Sequence, residues 1–162
     1  MVKDNLIFEI SNGGRIKLAS SMIETLFHYQ QLNEESMESG GVLLGRFIKD
    51  SKNIVVDKIT TPMHGDKQTR YSFKRLSPLH QKIITQEWNN SNGTCNYLGE
   101  WHTHPESDPI PSGLDLKDWK RKLKKDVFSG RYLYFIIAGI NSIEIWEGDR
   151  RTYEIIKLKI TN

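Results

Sequence analysis

Apolar positions recur along the chain at two spacings, one suited to strands and one to helices. Leu6 to Ile10 and Arg15 to Leu18 read as strands flanking Asn12-Gly13-Gly14, a hairpin signal. Ser21-x-x-Glu24 resembles a capping box, and Met22, Ile23, Leu26 and Phe27 fall on one helical face. Val42 to Ile48 and Asn53 to Thr60 read as strands joined by the polar turn Lys49-Asp50-Ser51-Lys52, and Tyr71 to Lys74 as a short strand. Ser77-Pro78 opens a second helix with proline at its first position, followed by the mostly apolar face Leu79, Ile83, Ile84, Glu87, Trp88. Tyr97 to Thr103 reads as a strand. Ser112-Gly113-Leu114-Asp115 begins a third helix whose apolar stripe is Leu116, Trp119, Leu123 and Val127. Tyr132 to Ala138, Ser142 to Glu147 and Tyr153 to Lys159 are three final strands, and their short connections predict an antiparallel meander. The sum is an α+β domain spanning 1–162, built on a large, mostly antiparallel sheet with about three helices.

Composition narrows the class. A chain of 162 residues suits one domain and buries roughly 70% of its unfolded surface, so neither metal nor disulfide is needed merely to fold. Charged residues are 27% and aromatics 10%, a globular profile that argues against disorder or coiled coil. The single cysteine, Cys95, excludes an internal disulfide, a zinc finger and a CxxC redox pair, and reads as a packing residue in a reduced, cytoplasmic protein. The longest apolar run, Tyr132 to Ile140, is short of the ~20 residues of a membrane span. The N-terminal MVKDNLIFEI lacks the apolar segment of a signal peptide, so none is expected, and no membrane partner is expected either. The net charge of +3 permits nucleic-acid contact without arguing for it. Six basic residues in Lys117 to Lys125 read as a solvated helix face, although an acidic protein could use them. His64 reads as a loop histidine, and His28 and His80 show no ligand spacing to each other.

The chemistry is concentrated in Gly99-Glu100-Trp101-His102-Thr103-His104-Pro105. Residues two apart on a strand share a face, so His102 and His104 can aim two imidazoles at one point, and imidazole is a good ligand for Zn²⁺. Pro105 then ends the pairing. A catalytic zinc usually takes three protein ligands and leaves a place for water. Asp115, eleven residues beyond His104, stands in the first turn of the third helix after a loop stiffened by Pro109 and Pro111. Ser112-x-x-Asp115 is also an ordinary helix start, with Ser112 as cap and Asp115 complementing the dipole. The two roles are compatible.

His102-Thr103-His104-Pro105, Ser112 and Asp115 together resemble the JAMM signature of JAB/MPN-domain zinc metalloproteases. That family carries a further glutamate just before a glycine-rich strand, and Glu38 in Glu38-Ser39-Gly40-Gly41-Val42 matches its place. Composition alone does not distinguish Glu38 from Glu34, Glu35, Glu100 or Glu106. The resemblance implies the MPN/JAB fold, with a curved sheet. It implies one zinc per chain on His102, His104 and Asp115, Glu38 as acid/base, and Ser112 stabilising the oxyanion. Tyr97-Leu98-Gly99-Glu100-Trp101, Asp115-Leu116-x-x-Trp119 and the His80 to Trp88 helix are similar to the small JAB proteases of CBASS anti-phage operons. That subgroup implies an isopeptidase acting on the C-terminal tail of a CD-NTase, with an E1/E2-like ligase as functional partner. Alternatives are a protease for the tail of a ubiquitin-like or sulfur-carrier protein, a RadC-like protein, and a non-catalytic MPN interaction module. A zinc deaminase is excluded by the single cysteine, and no HExxH pair occurs.

Overall fold

The computed structural model describes residues 4–161; Met1–Lys3, at the start of the segment read for a signal peptide, lie outside the described residues. β1 (Leu6–Glu9) and β2 (Arg15–Leu18) pair antiparallel around the expected turn. Gly13 takes φ 89°, a conformation that side chains disfavour, and the Asn12 carboxamide accepts the Gly14 N–H at 2.9 Å. α1 (Ser20–His28) follows and buries Met22, Ile23 and Leu26. The expected capping box at Ser21 does not form, because the helix begins two residues earlier with Ala19 at the N-cap. The Ala19 N–H is bonded to the Val56 carbonyl, and Asn5, just before β1, accepts the Ser20 N–H at 2.9 Å. A tertiary anchor thus replaces the local one.

β3 (Gly40–Phe47), β4 (Ile54–Ile59) and β7 (Asn96–Thr103) lie where alternation and β-branching place them. So do β8 (Tyr132–Ala138), β9 (Ile143–Asp149) and β10 (Ile155–Lys157). Between β4 and β7 the chain makes β5 (Lys67–Gln68) and β6 (Phe73–Lys74), a separate small hairpin of which only the second strand was expected. The main sheet has the order β1-β2-β4-β3-β7-β8-β9-β10. It is mostly antiparallel, with β2/β4 and β7/β8 parallel, and β8-β9-β10 is the predicted meander. The sheet curls until its ends meet. Phe8 bridges Ile160, the Glu9 N–H reaches the Lys159 carbonyl, and the Thr161 N–H reaches the Ile7 carbonyl.

Both faces of the sheet are buried at its centre. Phe8, Leu18, Leu43, Trp101, Tyr134, Ile136 and Ile145 pack with α1 inside the curl. On the other face α3 (Gly113–Lys125) lays Trp119 and Leu123 against Leu133, Phe135, Ile137 and Trp146. Trp119 stacks on Phe135 at 4.7 Å. α2 (Leu79–Asn90) covers Val42, Leu44 and Cys95 with Ile83 and Ile84. Its anticipated apolar face is only partly used: Leu79 and Trp88 are exposed, and the fully buried residue is His80. Pro78 has helical angles and its carbonyl accepts the Lys82 N–H, as expected of a proline at a helix start. Val127 lies beyond the end of α3 and is 95% exposed, so it leaves the predicted stripe. No helix among the described residues is long and apolar enough to cross a membrane.

Candidate active site

The strand register brings the first three groups together. In the antiparallel β3/β7 pair Gly40 faces His102. Thr103 N–H donates to the Ser39 carbonyl at 2.9 Å, and the Ser39 N–H donates to the Thr103 hydroxyl at 2.9 Å. One step further along the same face, Glu38 comes opposite His104. Glycine at 40 opens the space opposite His102, since a Cβ there would lie 2.5 Å from the Phe73 ring. One potential ligand atom from each of Glu38, His102 and His104 lies within 4.8 Å of the others, and all three residues are buried.

α3 brings the fourth group. Ser112 is its N-cap: the Ser112 hydroxyl accepts the Asp115 N–H at 3.0 Å, and the Asp115 carboxylate accepts the Ser112 N–H at 2.8 Å. The same Asp115 oxygen, Oδ2, stands 3.4 Å from His102 Nε2 and 3.1 Å from His104 Nε2, and the two Nε2 atoms are 3.1 Å apart. A tetrahedral ion with bonds of about 2.0–2.1 Å needs donors separated by about 3.3–3.4 Å. Two imidazole nitrogens and a carboxylate oxygen at these spacings therefore fit one face of such a tetrahedron. Glu106 completes the arrangement by accepting from His104 Nδ1 at 2.7 Å, which turns His104 Nε2 toward the shared centre. Glu106 had no assigned role in the sequence reading; its signal was the short reach from a residue two positions beyond a ligand candidate.

The charges respond to this crowding. Burial pushes the Glu38 carboxyl up, against the lowering effect of His102 and His104 and with the help of Asp115, to about 7. Burial also raises Asp115, but hydrogen bonds from His102 and His104 outweigh it and hold this carboxylate well below its usual range. Burial lowers His104, yet Asp115 and Glu106 raise it overall. One glutamate is thus poised near neutrality beside an aspartate that stays ionised.

Of the other glutamates considered, Glu100 is engaged beneath the site by Arg75 at 2.8 Å and Lys122 at 3.1 Å. A 40 Å³ pocket lined by Glu38, Phe73, Glu100, His102, Asp115 and Trp119 opens at the centre. A separate cavity of 640 Å³, between α2 and the end of α3, shares Arg75 with it. His64 is exposed. Lys117, Lys120, Arg121, Lys124 and Lys125 form an exposed helix face, as expected. Lys122 alone of the six turns inward.

The family described as prokaryotic homologs of the JAB domain matches residues 21–152. A Pseudomonas aeruginosa protein named CD-NTase/cGAS isopeptidase is 36% identical over 130 residues, covering 80% of each chain. An Escherichia coli protein of the same name is 31% identical over 159 residues, 98% of this chain and 97% of its own. Among solved structures, a solution structure of a Desulfitobacterium hafniense protein shares the fold with a TM-score of 0.57 at 19% identity, covering 86% of this chain and 87% of its own.

Proposed function

We propose, from the premise that this chain belongs to the prokaryotic JAB-domain family, that it is a zinc-dependent isopeptidase. Its reaction is hydrolysis of the bond joining the C-terminus of a CD-NTase to a conjugated target, in anti-phage defence. The observation that carries this reading is the convergence of His102 Nε2, His104 Nε2 and Asp115 Oδ2 within 3.1–3.4 Å of one another, with the Glu38 carboxyl buried beside them. The substrate is supported by the relatives' names, and the chain spans nearly the full length of one of them.

His102, His104 and Asp115 would hold the ion, and Zn²⁺ when bound would supply Lewis acidity toward a carbonyl and a water. Glu38 takes one proton from the attacking water as the new C–O bond forms. It returns that proton to the amine nitrogen as the C–N bond breaks, so the amine leaves neutral. The Ser112 oxygen already accepts the Asp115 N–H, so its own hydrogen is available to the carbonyl oxygen as negative charge develops there. The separate β5/β6 hairpin has open edges and stands next to Glu38, where an extended tail can add as a strand. An E1/E2-like ligase makes the conjugates in the same cytoplasm.

The test is cleavage of a CD-NTase carrying a C-terminal fusion, compared with a ubiquitin-like protein carrying the same fusion. The reading expects cleavage of the first by the wild type and none by Glu38→Gln. Efficient cleavage of only the second would replace the substrate, and cleavage of neither would remove the enzyme.

A further inference from the structure

Outside the ligand cluster, the β5/β6 hairpin holds the backbone and the carboxylate of Glu38. Its N–H donates to the Thr69 carbonyl at 2.7 Å, its carbonyl accepts from Gln68 Nε2 at 3.1 Å, and its carboxylate accepts the Phe73 N–H. The position of the acid/base therefore depends on the position of a two-rung hairpin, and a ladder that short has little stability of its own.

What fixes the hairpin is a buried pair outside the site. The Asp66 carboxylate accepts the Met63 N–H at 2.9 Å on the incoming limb of the excursion. On the outgoing limb it accepts the Leu76 N–H at 2.9 Å and the Ser77 N–H at 2.8 Å. One side chain thus closes the base of the loop. His80 Nε2 lies 2.6 Å from Asp66 Oδ2, and His80 Nδ1 lies 2.7 Å from the Thr60 hydroxyl. That hydroxyl also receives the Val42 N–H at 2.8 Å. The carboxylate can only accept, so His80 Nε2 carries the hydrogen between them, and the Thr60 hydroxyl links His80 Nδ1 to the Val42 N–H. His80 is fully buried within α2, and its partners Thr60 and Val42 sit at the end of β4 and on β3.

We propose that Asp66 and His80 are positioning residues for the acid/base: a clamp that ties the hairpin base to α2 and the central strands and so holds Glu38 over the ligand cluster. Neither residue touches the reacting atoms; they act through the backbone of residues 67–73. The proposal rests on the isopeptidase reading for its effect on rate, but not for its effect on the hairpin.

The experiment compares Asp66→Ala, His80→Ala and His80→Gln in the full chain. It measures steady-state cleavage of the CD-NTase fusion, zinc content, and amide hydrogen exchange at Glu38 and Phe73. Releasing the clamp is expected to lower kcat about 10- to 100-fold, as misplacement of a reacting group by about 1 Å does. KM and zinc content are expected to stay within about twofold, because the ligand residues lie on β7, just beyond its end, and on α3. The Glu38 and Phe73 amides are expected to exchange at least about tenfold faster. His80→Gln keeps a donor at the Nε2 position and is expected to restore much of kcat and of the protection. Folded alanine variants with wild-type exchange at Glu38 would overturn the clamp, as would loss of zinc in step with kcat. If the wild type cleaves no fusion, the isopeptidase reading fails and the exchange measurement still decides the clamp.

Discussion

Glu38 shows what a single residue's surroundings decide. Its 5% exposure and the carboxylate of Asp115 make its charged form costly, and the two imidazoles recover only part of that. In chelated protein the folded state therefore binds a proton at Glu38 more tightly than the unfolded chain does, about 7 against the ordinary 4.5. The favourable contribution is fully present below pH 4.5 and is lost as pH rises to about 7. The apo protein should lose up to about 3 kcal/mol of stability across that window. Urea midpoints at a series of pH values would show it, and Glu38→Gln should flatten the slope; an equal slope in the variant would assign the effect elsewhere. Little of this was legible beforehand. Five glutamates were indistinguishable by composition, and only the resemblance selected Glu38. The physical reason lies in register: Ser39 and Thr103 exchange bonds, Gly40 clears the space, and these are long-range facts. His102, His104 and Asp115 were legible because strand alternation and a helix start are local.

The start of α3 combines two duties in one element. Ser112 caps the helix and, by accepting the Asp115 N–H, sets the carboxylate that faces both histidines. Ser112→Ala should cost about 0.5–2 kcal/mol of stability, whereas Ser112→Gly should cost only a few tenths. Both should lower kcat by about 10²- to 10³-fold, as loss of an oxyanion donor does. Thermal unfolding beside kinetics separates the duties; a Ser112→Gly enzyme with full kcat would leave the hydroxyl a cap alone. This helix was readable from its cap because Ser112 and Asp115 satisfy each other within one turn. The start of α1 was not, because its cap comes from Asn5 across the chain. The same limit hid the role of His80, which was read as a helix residue with no ligand spacing to His28, and the first strand of the β5/β6 hairpin, whose pairing rests on only two rungs.

At the scale of the molecule, most of the core lies away from the site. The three apolar clusters lie inside the curl or beneath α2 and α3, and of their buried residues Trp101 and Trp119 also line the central pocket. Chelation should therefore leave the far-ultraviolet dichroism intact at 25 °C while lowering Tm. Zinc at about a thousand times its Kd contributes about 4 kcal/mol, which corresponds to a shift of about 8–16 °C for a chain of this size. Collapse of the dichroism on chelation would show that the metal holds the fold itself. The mostly antiparallel sheet with its closing meander followed from short connections. The two parallel pairings and the contact of β1 with Lys159–Thr161 did not, since nothing local in those segments records their neighbours.

The most direct test of the account measures zinc per chain and cleavage of the CD-NTase fusion on the same preparations of wild type, Glu38→Gln and Asp115→Ala. One zinc with cleavage in the wild type, one zinc without cleavage in Glu38→Gln, and loss of both in Asp115→Ala is the predicted pattern. Full turnover by Glu38→Gln, or a normal zinc content in Asp115→Ala, would contradict it.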